Sequence, residues 1–240
     1  MSSKGINETV SSKLELPMLN REGSTIRSGI TDALRLKIMD GTLLPGSRVP
    51  EEWVAREMGV SRGPVREALR ELENEGLLIV NPYRGTFVQE ITSDELRNVL
   101  IPIRLILESR ACLVAIPKMT KIDFQNLEKI VNKMRIAATS KDKETLLTLV
   151  DLDIQYHEFL MNLSNQYHTI QIWKSILPRI RVAFYRLGLV HTNYQEITDE
   201  HQTLLEALLT KDSEIILSAL EHHICTDEYR LLDRIESKQS

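Results

Sequence analysis

The sequence predicts a mainly α-helical protein in two parts: a small N-terminal unit of three helices and a β-hairpin, then a larger bundle made only of helices. Apolar residues recur with helical spacing over most of the 240-residue chain. Two short β-prone runs, 77–81 and 86–89, enclose an Asn-Pro-Tyr-Arg-Gly turn. Beyond residue 92 the pattern is almost entirely helical, which predicts an all-α second part.

The composition is that of a globular protein, with 42% hydrophobic residues, 27% charged residues and a net charge of -4. This is enough apolar material for a core in each of two domains. Because the chain is slightly acidic, any DNA contact must come from a local cluster of cations. The sequence shows no apolar run of membrane-spanning length and no signal-peptide core, so we expect a cytoplasmic protein without a membrane partner. The two cysteines, Cys112 and Cys225, have no metal-ligand spacing, and we expect thiols in a reducing compartment.

Three segments follow from these patterns. Residues 1–22 are polar and aperiodic, which predicts a flexible arm. Residues 23–91 form the first predicted domain, with helices over 26–39 and 51–58 and a third from Ser61 to about 75. Residues 92–240 form the second predicted domain, with helices near 94–116, 121–138, 143–163, 167–189, 198–210 and 213–236. The predicted N-caps of that domain are Thr120, Thr198 and Asp212, and Pro102 should kink the first helix or shift its start.

Residues 51–70 have the spacing of a helix-turn-helix. Ala55 is small where two helices cross closely, and Gly59 occupies the turn, where a positive φ is easiest for glycine. Val65 falls on the inner face of the following helix. One small residue, one glycine and one β-branched residue at these positions are typical of the motif.

The stretch SRGPVREALR opens the second of these helices with residues suited to a surface that reads DNA. Ser61 can cap the helix, Pro64 suits its first turn, and Gly63 would let a DNA backbone approach. Arg62 and Arg66 share one face, and a guanidinium matches guanine O6 and N7. The alternative is a solvated face in which the arginines pair with Glu67 or Glu73.

The hairpin adds a second predicted DNA contact. Tyr83, Arg84 and Gly85 lie in its turn, directly after the recognition helix, and predict a wing that touches the backbone or minor groove. Arg48, just before the second helix, is a candidate for a further phosphate contact.

The segment from Gly41 to Val88, with GTLLPGSRV, WVAREMGVSR, SRGPVREALRELENEGLL and YRGTFV, closely resembles the GntR-type winged helix-turn-helix. The resemblance implies that Arg62, Arg66 and Gly85 contact double-stranded DNA. The sequence departs from some branches at Glu52, where relatives carry a further DNA-contacting arginine. That departure implies a different operator or a missing contact.

A second group of polar residues lies on the predicted helices of the larger domain. Asp153 and His157 are four residues apart and share a helix face, while His201 and His223 lie in line with apolar stripes of their own helices. A buried imidazole needs a partner, and one carboxylate with three imidazoles suits Zn, Ni, Mn or Fe(II). Taken singly, each histidine is also explained as a hydrogen-bonded core residue.

Residues 94–232 resemble, more loosely, the FCD ligand-binding domain of the FadR subfamily. The resemblance implies that a divalent metal is bound by four residues: Asp153, His157, His201 and His223. Zinc is the first expectation. In relatives with this set, a small carboxylate effector often completes the coordination of the metal. Arg104 and Glu108 match an R-x-x-x-E pattern in the first helix of the domain. The effector role of Arg104 and a simple intrahelical pair with Glu108 are equally good interpretations, and Pro102 departs from the usual pattern.

Two other classes remain open at this stage. A metal-dependent hydrolase would need a motif such as H-E-x-x-H, but after His157 and Glu158 the second ligand position is Met161. The other open class is a metal-stabilised dimerisation module without an organic effector. We favour a ligand-controlled transcription regulator, a repressor rather than an enzyme, which binds an inverted-repeat operator as a homodimer.

Overall fold

The computed structural model describes residues 25–140, 142–191 and 193–237. The predicted arm, 1–22, lies outside this range. The described chain is mainly α-helical, with a two-stranded hairpin after the first three helices. Among the described residues, none of the helices combines the length and the apolar character needed to cross a membrane.

The elements of the N-terminal unit are α1 (Ile26–Met39), α2 (Glu51–Met58), α3 (Arg62–Asn74), β1 (Leu78–Asn81) and β2 (Gly85–Val88). The helices of the bundle are α4 (Ser93–Glu95), α5 (Ile101–Ala115), α6 (Lys121–Ala137), α7 (Lys143–Leu163), α8 (Tyr167–Gly188), α9 (Gln195–Thr210), α10 (Ser213–Glu221) and α11 (Asp227–Glu236). Two π-helical turns, Leu96–Leu100 and His222–Thr226, and one 3₁₀ turn, Ile116–Lys118, join some of these helices.

The N-terminal unit is held together by the apolar faces of α1 and α3. Ile30 and Leu34 of α1 share a buried cluster with Val65 and Leu72 of α3. Burying each such side chain contributes roughly 1.5–3 kcal/mol. Arg35 reinforces the pair by donating to both carboxylate oxygens of Glu75, at 2.6 and 3.0 Å. The opposite face of α3, which carries Arg62 and Arg66, is exposed.

The hairpin is antiparallel, with Leu78 opposite Val88 and Asn81 opposite Gly85. β1 begins one residue later than its predicted run, and β2 begins and ends one residue earlier than its predicted run. Its turn carries Tyr83 at φ 64° and Gly85 at φ 98°. A further bridge between Arg48 and Phe87 ties the segment before α2 to the hairpin.

The two predicted long helices that begin near residues 94 and 213 each contain a π-helical turn. In the first, the amide of Ile101 donates to the carbonyl of Leu96, five residues earlier. Pro102 follows at once, and it has no amide to continue the regular ladder, so the wider turn accommodates it. In the second, the amide of Asp227 donates to the carbonyl of His222. His223, a predicted metal ligand, lies inside this turn.

Two predicted helix caps are wrong. Thr198 is fully buried inside α9, which begins at Gln195, because the side chain of Asn193 accepts from the Gln195 amide and starts the helix earlier. Ser61 stands at the N-cap position of α3 but makes no capping hydrogen bond. Thr120 and Asp212 do cap their helices, Thr120 within a capping box with Asp123.

Helix α8 joins the two units. The guanidinium of Arg179 lies so close to Gly76 that a Cβ added there would be 2.1 Å from its Nη2. Arg186 donates to the backbone carbonyl of Ile91 at 3.2 Å. Arg181 bonds to Asp151 and lies 3.2 Å from the sulfur of Met39. Thus one helix of the bundle contacts the N-terminal unit at three places.

Candidate functional site

The α2–α3 corner has the geometry of a helix-turn-helix. Gly59 ends α2 in the left-handed conformation, at φ 65°, which other residues adopt only at a cost in strain. Ala55 is buried at the crossing, and Val65, Ala68 and Leu69 hold α3 against the unit. These packing roles agree with the sequence prediction.

The predicted DNA-reading residues at the start of α3 lie on the surface. Ser61, Arg62, Gly63 and Arg66 are exposed, and Pro64 is half-buried in the first turn. A Cβ added at Gly63 would meet no atom within 4 Å, and its φ is not in the left-handed region. Nothing inside the protein therefore requires glycine at this position.

The acidic partners of these arginines come from α2 and not from α3. Arg62 pairs with Glu52 at 2.9 Å, and Arg66 donates to both oxygens of Glu51 at 3.0 and 3.2 Å. The pairing with Glu67 or Glu73 considered from the sequence is absent among the described contacts; Glu73 instead accepts from the amide of Val80. Exposed pairs of this kind contribute about 0–1 kcal/mol, so phosphate or a base edge can replace the glutamates.

The hairpin turn presents its side chains outward. Tyr83 and Arg84 are exposed, and Arg84 lies over the ring of Phe87 at 5.8 Å. Arg48 is exposed and packs across Gly85, where an added Cβ would lie 3.2 Å from its Nε. Arg48 and the wing glycine therefore form one continuous surface.

In the bundle, the structure brings the four predicted metal ligands together. Asp153 and His157 come from α7, His201 from α9 and His223 from the second π-helical turn. One donor atom from each lies within 4.8 Å of every other. The Nε2 of His201 lies 3.0 Å from Oδ1 of Asp153, and the Nε2 atoms of His157 and His223 are 3.0 Å apart.

The hydrogen bonds around these rings determine which nitrogen faces the centre. Nδ1 of His201 lies 2.7 Å from the carbonyl of Ile197, which only accepts, so this nitrogen carries the proton. Nδ1 of His157 lies 2.7 Å from Oε2 of Glu108. In the neutral rings, the Nε2 lone pairs of His157 and His201 therefore point inward, toward a carboxylate and a third imidazole.

This arrangement fits a divalent transition metal. Inward lone pairs beside an ionised carboxylate repel unless a cation or a proton lies among them. Ligands about 2.0–2.1 Å from a tetrahedral ion are roughly 3.3 Å apart, and the observed separations in this cluster include 3.0 and 3.8 Å. Donation of the other ring nitrogen to a carboxylate or a carbonyl is the usual outer support of a metal-binding histidine.

Ionisation of the surrounding groups favours the same interpretation. Burial opposes ionisation of Asp153, but the hydrogen bond with His201, the charge that His157 and His201 carry when protonated, and the charge of Arg104 outweigh it and lower its pKa to about 2. Burial, together with the neighbouring His201 and His157, lowers the pKa of His223 well below its usual value. A carboxylate and an imidazole in these forms are the protonation states that bind metal.

Behind the cluster lies a buried ion network on α5. Burial opposes ionisation of Glu108, but Arg104 and His157 outweigh it and lower its pKa to about 2. Oε1 of Glu108 accepts from Nε of Arg104 and from the indole of Trp173, both at 2.8 Å. The pair Arg104–Glu108 considered from the sequence is thus present, but it is buried and supports His157.

Arg104 does not reach the cavity beside the metal ligands. Its side chain is 3% exposed, lies over the ring of Phe184 at 4.6 Å and donates to Glu228 at 2.5 Å. The cavity has a volume of about 60 Å³, and Asp153, His201, His223 and Glu228 contribute to its wall. That is room for a few water molecules.

Glu228 is the residue of this site that the sequence analysis missed. Burial raises its pKa; Arg104 works against this, but Asp153 and Glu108 add to it, and the pKa reaches about 8. In the sequence, Glu228 is one of several acidic residues in a charged stretch. Helical spacing alone does not predict a contact between its side chain and Arg104. The π-helical turn before α11 rotates it there.

The fold and the site define the class: a winged helix-turn-helix with exposed arginines, joined to a helical bundle with a small cavity beside a cluster of histidine and aspartate side chains. The gntR family of bacterial regulatory proteins matches residues 26–88, and the FCD domain matches residues 99–226. The chain belongs to the GntR family and carries an FCD domain, as the resemblance to the FadR subfamily implied. It is a DNA-binding transcriptional regulator and not an enzyme.

Relatives extend along most of the chain. An uncharacterised HTH-type transcriptional regulator of Streptomyces ambofaciens is 31% identical over 215 residues, covering 86% of this chain and 85% of the relative. The gluconate operon transcriptional repressor of Bacillus subtilis is 25% identical over 200 residues, covering 79% and 78%. The solved structure of E. coli McbR/YncC has a similar fold, with a TM-score of 0.71, 23% identity and coverage of 88% and 99%.

Proposed function

We propose that this protein is a cytoplasmic repressor that binds an inverted-repeat operator as a homodimer and responds to a small carboxylate bound at a metal centre. The observation that carries the proposal is the meeting of Asp153, His157, His201 and His223 in a domain joined to an exposed recognition helix. A relative named as a repressor is similar to this protein over 79% of the chain. Arg48, Ser61, Arg62, Gly63, Pro64, Arg66, Arg84 and Gly85 form the proposed DNA surface.

The four ligands restrict which ion leaves room for an effector. Tetrahedral zinc, the ion first expected from the sequence, is complete with four protein ligands unless it expands to five. Ni, Mn or Fe(II) with six coordination positions would have two left for the oxygens of a carboxylate after the four protein ligands have bound. Bound metal would hold α7, α9 and the second π-helical turn together, so its loading and the stability of the bundle are linked.

Regulation requires that the effector bind the DNA-competent and the DNA-incompetent arrangements with different affinities. Helix α8 lines the cavity with Phe184, Leu187 and Gly188, and it contacts the N-terminal unit through three arginines. We propose that a ligand in the cavity acts on the DNA-binding unit through this helix.

The test is native mass spectrometry with elemental analysis of protein purified without chelators. We expect a dimer that contains one transition metal per chain, and D-gluconate, suggested by the name of one relative, is the first acid to titrate. Metal-free protein that still responds to organic acids would remove the metal centre from the proposal.

A second candidate function is a metal-stabilised dimerisation module without an organic effector. The small cavity favours it, since about 60 Å³ holds few atoms besides water. Metal-loaded protein whose operator binding ignores D-gluconate and other small organic acids would support this alternative.

A further inference from the structure

Two buried carboxylates hold the guanidinium of Arg104, and they differ in what else they do. Glu108 contacts His157 and Trp173 as well as Arg104. Glu228 bonds to Arg104 through Oε1, and no other described contact holds its carboxyl group. Exchange of Glu228 therefore breaks one described contact, whereas exchange of Glu108 breaks three. Glu228 is therefore the more easily exchanged of the two partners.

Glu228 stands between Arg104 and the cavity. Its side chain is 9% exposed and contributes to the cavity wall, which Arg104 does not reach. A free carboxylate that enters from the cavity meets Glu228 before it can meet Arg104. The cavity beside Glu228 has a volume of about 60 Å³, so an acid that also reaches Arg104 needs the space that the Glu228 side chain occupies.

We propose that Arg104 forms a carboxylate subsite that Glu228 fills from within the chain, and that a small organic acid binds by displacing the Glu228 side chain. The inference rests on the proposed function, since the acid is the proposed effector. Glu228 lies on α11, directly after the turn that carries His223. Displacement of this side chain would thus alter a helix next to a metal ligand, which links ligand entry to the bundle.

The test is chemical rescue of the Glu228→Ala variant, because the atoms that this substitution removes are those of acetate. We expect acetate to raise the melting temperature of Glu228→Ala by about 2–4 °C when present at ~5 times its Kd. Acetamide, which has the same shape and no charge, should give no such rise, and the melting temperature of wild-type protein should rise less at the same acetate concentration.

Glu200→Ala is the matched control, since Glu200 is another acid of the cavity wall and no described bond joins it to Arg104. Equal stabilisation of Glu200→Ala and Glu228→Ala by acetate, or equal effects of acetate and acetamide, would overturn the proposal. If Glu228→Ala folds only in part, the same comparison is made on the folded fraction that each additive restores.

Glu228→Gln provides a second measurement that keeps the shape of the side chain. Above pH 8, where Glu228 is ionised, loss of the tethered charge should increase acetate affinity at least about tenfold over wild type, and unchanged affinity would contradict the proposal. Absence of metal or of operator binding removes the proposed function but leaves the acetate result intact. Failure of both acetate measurements in metal-loaded, operator-binding protein removes only the role of Glu228.

Discussion

Gly63 occupies the first turn of α3, where no contact inside the protein requires a glycine. Alanine would lower the conformational entropy of the unfolded chain and is the better helix former. Gly63 is exposed and is not the best residue for folding at its position. We propose that close approach of the DNA backbone accounts for glycine here.

We expect Gly63→Ala to keep or raise the free energy of unfolding, by up to about 1 kcal/mol, and to weaken operator binding. Thermal unfolding and a DNA titration on the same preparation measure the two effects. Gly59→Ala is the contrast, since φ 65° at Gly59 makes that substitution destabilising. Undiminished operator affinity in Gly63→Ala would contradict the close approach.

Arg66→Ala should weaken binding to the operator by roughly 1–3 kcal/mol and binding to random DNA much less, because it removes a base contact. Arg84→Ala is the control for a backbone contact: it should weaken both and reduce the salt dependence of binding. Titrations at several salt concentrations separate the two. Equal losses of Arg66→Ala on both DNAs would remove its base-reading role.

His201→Ala should lower both bound metal and the melting temperature, since Nε2 of His201 faces Asp153 in the ligand cluster. Elemental analysis and thermal unfolding provide the measurements. His168, an exposed histidine on α8, is the control, and His168→Ala should change neither. An unchanged metal content in His201→Ala would remove it from the ligand set.

At the scale of elements, most helices and both strands follow from the sequence to within a residue or two. Apolar periodicity predicts α6 and α7 closely because these helices bury one continuous stripe. The π-helical turns do not follow from it, because apolar spacing over a single turn does not distinguish an i to i+5 hydrogen bond from an i to i+4 bond. The early start of α9 was missed because an asparagine two residues before the helix, and not Thr198, begins it.

Helix α8 is the element that contacts both the cavity and the N-terminal unit. The double variant Arg179→Ala, Arg186→Ala should loosen that unit while leaving the metal centre intact, because both arginines contact it at Gly76 and Ile91. Faster amide hydrogen exchange near residues 76 and 91, with unchanged metal content, is the expected result. Exchange rates equal to those of wild type would exclude Arg179 and Arg186 as the link.

At the scale of the whole molecule, the protein carries one DNA-reading corner per chain, and the proposed homodimer has two. A two-fold pair of corners matches an inverted repeat, with half-sites about one helical turn of DNA apart. We expect an operator selected from random DNA to be palindromic and to bind two chains. A single half-site should bind at least about a hundredfold more weakly, since the second contact becomes intramolecular on the full operator.

The sequence by itself determined the helical architecture, the DNA-reading corner and the identity of the four candidate ligands. These features depend on local periodicity, on turn chemistry and on the chemical character of side chains, all of which act over a few residues. Only the tertiary structure decided that the four donor atoms meet within 4.8 Å, that Glu52 and Glu51 pair with Arg62 and Arg66 and that Glu228 bonds to Arg104. These contacts join residues that are distant in the chain or on different helices, and the packing and rotation of whole helices set such distances.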